Sequence, residues 1–297
     1  MSELLNVEQV RGVAVLSVNN PPVNALSAGV PEAIGAAIEV AQKDPAVQAI
    51  VLMGAGKTFI AGADIKQLEE MAWGRGAGAP NLHALLQQIE DGPKPVVMAI
   101  HGTALGGGLE VAMAGHYRVA AADAQFGQSE VNLGIIPGAE GTQRLPRLVG
   151  LEKAMEMCVG GKPVKAKEAL AAGLVDAIAD GDLKASAVEF AATAAKRGGA
   201  HPKTREKKAE RRTPGTLEEA LAAGRELAAK ARKNQTGPLK AMEAIQAAAT
   251  LTFEEGWKRE RQLFQECVTS DQCRALIHAF FAERTAGRIP GVGKDTP

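Results

Sequence analysis

Residues 95–116 read PVVMAIHGTALGGGLEVAMAGH, and this stretch decides the fold. Its first six residues form a short, unbroken apolar run of the kind that makes a strand buried on both faces. Gly106, Gly107 and Gly108 follow and let backbone approach backbone closely. A helix then starts near Gly107. Glu110 sits in its first turn and is the only charged residue between Pro95 and Gly115. An isolated carboxylate in such surroundings is costly to keep ionised. It reads either as a favourable acid at a helix start or as a group used for proton chemistry. Glu130, in AQFGQSEVNLGIIPG (124–138), is a second acid set among glycines and a proline. Alone it reads as a loop acid.

Working outward, VAVLSV (13–18) and AIVLM (49–53) read as further buried strands, with helical patterns at 31–44 and around 82–90. Alternating strand and helix predicts an α/β layer with a largely parallel sheet. WGRGAGAP (73–80) reads as a mobile glycine-rich loop. After about residue 180 strand signals vanish. Helices are predicted at 183–197, 217–233, 238–249, 253–267 and 271–287. Residues 197–215, RGGAHPKTREKKAERRTPG, are basic and read as a solvated loop. The expected organisation is a core over 1–196, a basic loop over 197–216, a helical region over 217–290 and a tail or linker start over 291–297.

The bulk numbers exclude several function classes. In 297 residues, Lys+Arg and Asp+Glu balance at 34 each, so no global charge draws the chain to nucleic acid or an anionic membrane. Aromatics are 3%, too few for a surface that stacks bases. Cys158, Cys267 and Cys273 lack metal-ligand spacing and read as reduced thiols of a cytosolic protein. No apolar run approaches the ~20 residues of a membrane span. The N-terminal residues do not resemble a signal peptide, and the C-terminal DTP is not a peroxisomal address.

GAGKT (54–58) resembles part of a phosphate-binding loop but fails on spacing, because Val51 stands where that loop needs glycine. No dinucleotide fingerprint opens a helix after a strand. TFIAGADIKQLEEM (58–71) carries more. Its small-residue turn Ala61-Gly62-Ala63 leads into a helix near Asp64, leaving backbone N–H groups that either bind an anion or belong to an ordinary capped helix.

Together, AGADIK, ALGGGLE and FGQSEVNLGIIPGAEGTQRLPRLVG resemble the crotonase family, and within it the enoyl-CoA hydratases. NPPVNALS (20–27) and AGLVDAI (172–178) add to the resemblance, which covers essentially the whole chain. TSDQCRALIHAFFAERTAGRIPGV (269–292) resembles the end of the hydratase/isomerase half of bifunctional fatty-acid β-oxidation proteins. A freestanding relative and a fragment of a larger protein both fit.

The resemblance implies a crotonase-like ββα spiral core followed by an all-helical C-terminal region. It implies an oxyanion hole from the backbone N–H groups of Ala63 and Gly107, water activation by Glu110 and proton donation to C2 by Glu130. The Gly138 N–H would help to hold the water. Coenzyme A would run past Ala61, Gly62, Asp64, Ile65 and Lys66, with the acyl chain near Met71 and the 73–80 loop. No metal or separate cofactor is implied, since coenzyme A is part of the substrate. A 3-hydroxyacyl-CoA dehydrogenase domain or protein is the implied partner. In the bifunctional proteins the helical tail folds back over the hydratase core, and this tail resembles theirs; oligomeric state stays open. Two alternatives remain: Δ3,Δ2-enoyl-CoA isomerisation through Glu130, alone or as a second activity, and an RNA- or partner-binding protein using the basic segment. Glu140 departs from the glycine or arginine usual in the family and is expected to face solvent.

Overall fold

A computed structural model describes residues 3–75 and 82–286. Its first half places β1 (Leu5–Val10), β2 (Val13–Val18), α1 (Val30–Lys43), β3 (Ala49–Gly54), α2 (Ile65–Ala72), α3 (Leu82–Asp91), β4 (Val96–Ile100), β5 (Thr103–Leu105), α4 (Gly107–Ala114), β6 (Tyr117–Ala120) and β7 (Gln125–Gly127). A 3₁₀ turn over Glu130–Leu133 follows, then α5 (Gly141–Val149), α6 (Leu151–Gly160), β8 (Val164–Lys165), α7 (Ala166–Ala171) and β9 (Ala177–Ile178). The remainder is helical: α8 (Leu183–Lys196), α9 (Leu217–Ala231), α10 (Gly237–Thr250), α11 (Phe253–Val268) and α12 (Asp271–Ala286).

The main sheet runs β1-β2-β3-β4-β6-β9, antiparallel at β1–β2 and parallel beyond. A smaller sheet, β5-β7-β8, stands beside it. The three apolar runs become the adjacent strands β2, β3 and β4 because both their faces are covered. Val13, Val15, Ala49, Val51, Val97 and Ala99 pack under Ala187, Val188 and Ala191 of α8. Leu16, Val18, Ile50, Leu52, Met98 and Ile100 face the larger core with α1, α3 and α4. Ile50 and Leu52 are fully buried, and each such side chain contributes about 1.5–3 kcal/mol.

Strands β1 and β5–β9 lack a clear sequence signal. In β1 only Leu5 is buried, and its polar Asn6, Glu8 and Gln9 are exposed at the edge of the sheet. The others are two to four residues long. The helical tail matches expectation, and it packs back on the core of its own chain: α10 against α5 and α6, α11 against α5, α12 against α2 and the Glu130 turn. Arg274 of α12 donates to the Ala72 carbonyl at 2.8 Å and lies over the Trp73 ring. Residues 76–80 of the glycine-rich segment, with Asn81, and the tail from 287 onward lie outside the described residues.

The basic segment is a largely exposed loop, as its composition predicts, yet it is not free of the core. It straps onto the core through specific pairs. Lys203 meets Asp91 at 2.6 Å, Arg205 pairs with Asp91, and Arg211 reaches Glu152 at 2.9 Å. Arg212 donates to the Ala172 carbonyl at 2.6 Å and to that of Leu148. Thr204 is buried. Composition predicts the solvation; the complementary acids on α3 and α6 that hold the loop down are distant in sequence.

Candidate active site

Three loops converge at the start of α4. In the first, the buried Asn24 amide donates to the Ala55 and Thr58 carbonyls, each at 2.9 Å. Leu26 N–H reaches the Gly62 carbonyl at 2.9 Å, and Ala61 N–H reaches that of Val23 at 3.2 Å. Residues 20–27 thus clamp the Ala61–Ala63 turn. Asp64 caps α2, its carboxylate accepting the Lys66 N–H at 2.9 Å. Ile65 packs against the core, and Lys66 is exposed.

The second loop is the triple glycine. The space a Cβ would occupy on Gly107 lies 3.7 Å from the Ala63 nitrogen, which brings the two turns together. Among the described residues neither the Ala63 nor the Gly107 N–H donates a hydrogen bond. Gly106 has φ 50, and a Cβ there would stand 2.9 Å from Glu130 Oε1. A Cβ on Gly108 would meet the Ile60 carbonyl oxygen at 2.1 Å, so only glycine lets α4 seat against that backbone.

The third loop, 137–142, holds the acid. Glu110 is 3% exposed, and its Oε1 accepts the N–H groups of Ala139 at 2.8 Å and Gly141 at 2.9 Å. No described residue donates to its Oε2. Burial pushes the Glu110 carboxyl up to about 7 against the lowering effect of those two amides, with the charge of Glu140 adding to the rise and that of Arg144 opposing it. Glu130 opens the 3₁₀ turn and is half-buried. Burial, then the charge of Glu110, pushes its carboxyl well above the usual range. The buried Gln128 amide lies against Glu130 and, with its nitrogen turned toward the carboxyl, donates to both oxygens, at 2.9 and 3.1 Å. The site therefore holds two interacting acids with perturbed affinities beside two free backbone donors, an arrangement suited to moving protons next to a developing oxyanion.

Glu140 overturns its expectation. It is fully buried at φ 69, with its carboxylate bonded to His83 and, at 2.6 Å, to Arg144. His83 stacks on Trp257 with ring centroids 3.7 Å apart. The reason lies in α3 and α11, which close over the helix start and leave the side chain no path to water. Gly138 sits beneath the Phe264 ring, where a Cβ would fall 2.5 Å from a ring carbon.

Sequence reasoning misses Gln128, Ala139, Gly141 and above all Glu260 of α11. Glu260 accepts the Glu140 N–H at 2.6 Å, the Thr142 N–H at 2.8 Å and the Thr142 hydroxyl at 2.5 Å. Its signal is its spacing: Gly256, Glu260, Leu263 and Cys267 share the buried stripe of α11, so an acid stands at a core position.

Residues 8–238 match the family described as enoyl-CoA hydratase/isomerase. A "Peroxisomal bifunctional enzyme" of Danio rerio is 42% identical over 276 residues, 93% of this chain and 37% of that protein. A "Probable enoyl-CoA hydratase" of Bacillus subtilis (strain 168) is 49% identical over 165 residues, 55% of this chain and 64% of that protein. The chain thus spans less than half the length of the bifunctional relative. Among solved structures, carnitinyl-CoA hydratase from Mycobacterium avium is 28% identical, with a TM-score of 0.68 over 95% of this chain and 97% of that one. EchA1_1 from Mycobacterium paratuberculosis is also 28% identical, with a TM-score of 0.68 over 94% of this chain and 96% of that one. By sequence over most of its length and by fold, this chain belongs to the enoyl-CoA hydratase/isomerase family, the crotonases.

Proposed function

We propose that the chain hydrates 2-enoyl-CoA thioesters. The observation that carries this reading is that Glu110 and Glu130 both lie against Gly106, while Gly107 and Ala63, whose N–H groups have no partner among the described residues, approach one another. The thioester oxygen accepts both N–H groups, which stabilise the enolate-like charge that builds as C3 is attacked. Glu110, its Oε1 fixed by Ala139 and Gly141, takes a proton from water through Oε2 while the water oxygen bonds to C3. Glu130, whose proton affinity is raised by burial and by the charge of Glu110, gives a proton to C2. The Gly138 N–H assists in holding the water. Coenzyme A runs along Ala61–Lys66. The product, a 3-hydroxyacyl thioester, suits oxidation by a 3-hydroxyacyl-CoA dehydrogenase, joined to this chain or separate.

Isomerisation of 3-enoyl-CoA is a second activity open to the same site, because moving a proton between C4 and C2 needs only Glu130 beside the oxyanion donors. The presence of both acids favours hydration as the main reaction. The deciding measurement is loss of crotonyl-CoA absorbance on adding purified protein. If no 2-enoyl-CoA of any chain length is hydrated, the reading fails.

A further inference from the structure

We propose that Glu260, on a helix 120 residues beyond the loop it grips, is a positioning residue for hydration: it fixes the 139–142 backbone so that Glu110 is held to face the water. The inference rests on the hydratase reading above. It starts from how four successive amides are shared. Ala139 and Gly141 donate to Glu110, whereas Glu140 and Thr142 donate to Glu260. The peptide groups alternate in direction, and one carboxylate holds each side.

That alternation needs support. Glu140 is held at φ 69, where an L-residue is disfavoured by roughly 1–2 kcal/mol. The first N–H groups of α5 have no partner within the helix. Glu110 satisfies only the Ala139 and Gly141 amides. The Glu140 side chain, anchored to His83 and Arg144, leaves its own N–H and that of Thr142 to another acceptor. Without one, those peptide planes can turn and withdraw the donors that fix Glu110. Glu260 closes the other side with three accepted hydrogen bonds.

A plain helix cap comes from a neighbouring residue and lies at the surface, as Thr216, Thr252 and Asp182 do in this chain. Glu260 instead is fully buried, and no described cation pairs with it. The charges that bear on it most are those of Glu110 and Glu140, both acids. Burial and the charge of Glu110 push its carboxyl up despite its donors. Such an acid is costly to keep for packing alone. Its place, back to back with Glu110 across one turn of backbone, accounts for it.

The test is steady-state hydration of crotonyl-CoA by the intact wild-type protein, Glu260→Gln and Thr142→Val, each with its melting temperature. Glu260→Gln keeps the size and one carbonyl acceptor. Thr142→Val removes one contact to Glu260 and keeps the helix. The expected result is kcat lowered about 10- to 100-fold in Glu260→Gln, since misplacement of a reacting group by ~1 Å costs that much. Thr142→Val should lose less, and KM should stay within about twofold in both. A folded Glu260→Gln with wild-type kcat, or with KM rising as kcat falls, overturns the inference, because a remote cap or a general loosening would behave so. Should Glu260→Gln not fold, Thr142→Val decides alone: an unchanged kcat overturns the proposal. A wild-type protein that hydrates no enoyl thioester removes the hydratase reading itself. An active wild type with indifferent variants removes only this inference.

Discussion

Arg144 and Glu90 form a two-pronged ion pair, at 2.8 and 2.9 Å, with both side chains out of contact with water. The pair joins α5 to α3, and Arg144 also holds Glu140 at 2.6 Å and lies over the Phe253 ring of α11. Three elements far apart in sequence are thereby fixed around the loop that supplies Ala139 and Gly141 to Glu110. Removing Glu90 leaves two buried Arg144 N–H groups without their acceptor, while Glu140 still faces the charge. Glu90→Ala should therefore lower stability by about 1–3 kcal/mol, read as an earlier urea midpoint. A loss below about 1 kcal/mol would mean that the pair is solvated.

Glu110→Gln should remove the base and keep the amide contacts. General-base loss typically costs about 100- to 10,000-fold. The expectation is a kcat reduced within that range, KM little changed, and crotonyl-CoA absorbance decaying accordingly. A variant retaining a tenth of wild-type kcat would assign water activation to another group.

The raised Glu110 affinity also sets a pH dependence. Its carboxyl moves from an ordinary 4.5 to about 7. Between those values the folded protein holds a proton that the unfolded chain releases, so this group lowers stability as pH rises from about 4.5 to 7. Glu110→Gln should be as stable as wild type near pH 4 and more stable at pH 8, by an amount on the order of 1–3 kcal/mol. Urea denaturation at both pH values checks the sign. Hydration by the wild type should fall on the acid side of about pH 7, where Glu110 is protonated, with the limb belonging to the coupled acids rather than to Glu110 alone.

Gly106→Ala and Gly108→Ala should fail in different ways. At Gly106 the added methyl meets the Glu130 carboxylate, the movable end of a side chain, at 2.9 Å. Gly106 also sits at φ 50, so alanine strains the backbone by about 1–2 kcal/mol; that variant should be modestly destabilised and lose activity by displacing Glu130. At Gly108 the methyl meets the Ile60 carbonyl at 2.1 Å, where backbone must move. That variant should be strongly destabilised, by about 1–3 kcal/mol or more. Circular dichroism melts beside activity assays separate the two.

If the site also isomerises 3-enoyl-CoA, Glu110→Ala should keep most of that activity and lose hydration, whereas Glu130→Ala should lose both. Equal losses in Glu110→Ala would show that a single acid pair serves the two reactions together.

The sequence by itself determined the strands at 13–18, 49–53 and 95–100 and the helical tail, and it singled out Glu110 as a lone acid behind three glycines. These signals are local. A doubly buried strand must be apolar throughout, a helix shows its period within a few turns, and a lone acid behind three glycines is conspicuous wherever the chain goes. Tertiary structure alone decided what surrounds them. Glu140 looks like a solvent-facing turn residue until α3 and α11 close over it. The basic 197–215 segment reads as solvated and is so, but its tethers to Asp91 and Glu152 appear only in the folded chain. Glu260 reads as one more charge in FEEGWKRERQLFQECV, and only packing of α11 on α5 places it against the Glu140 and Thr142 amides. Burial and pairing depend on residues some 60 to 120 positions away, so the cost of burying a charge, and the role that follows from it, is settled where the helices meet.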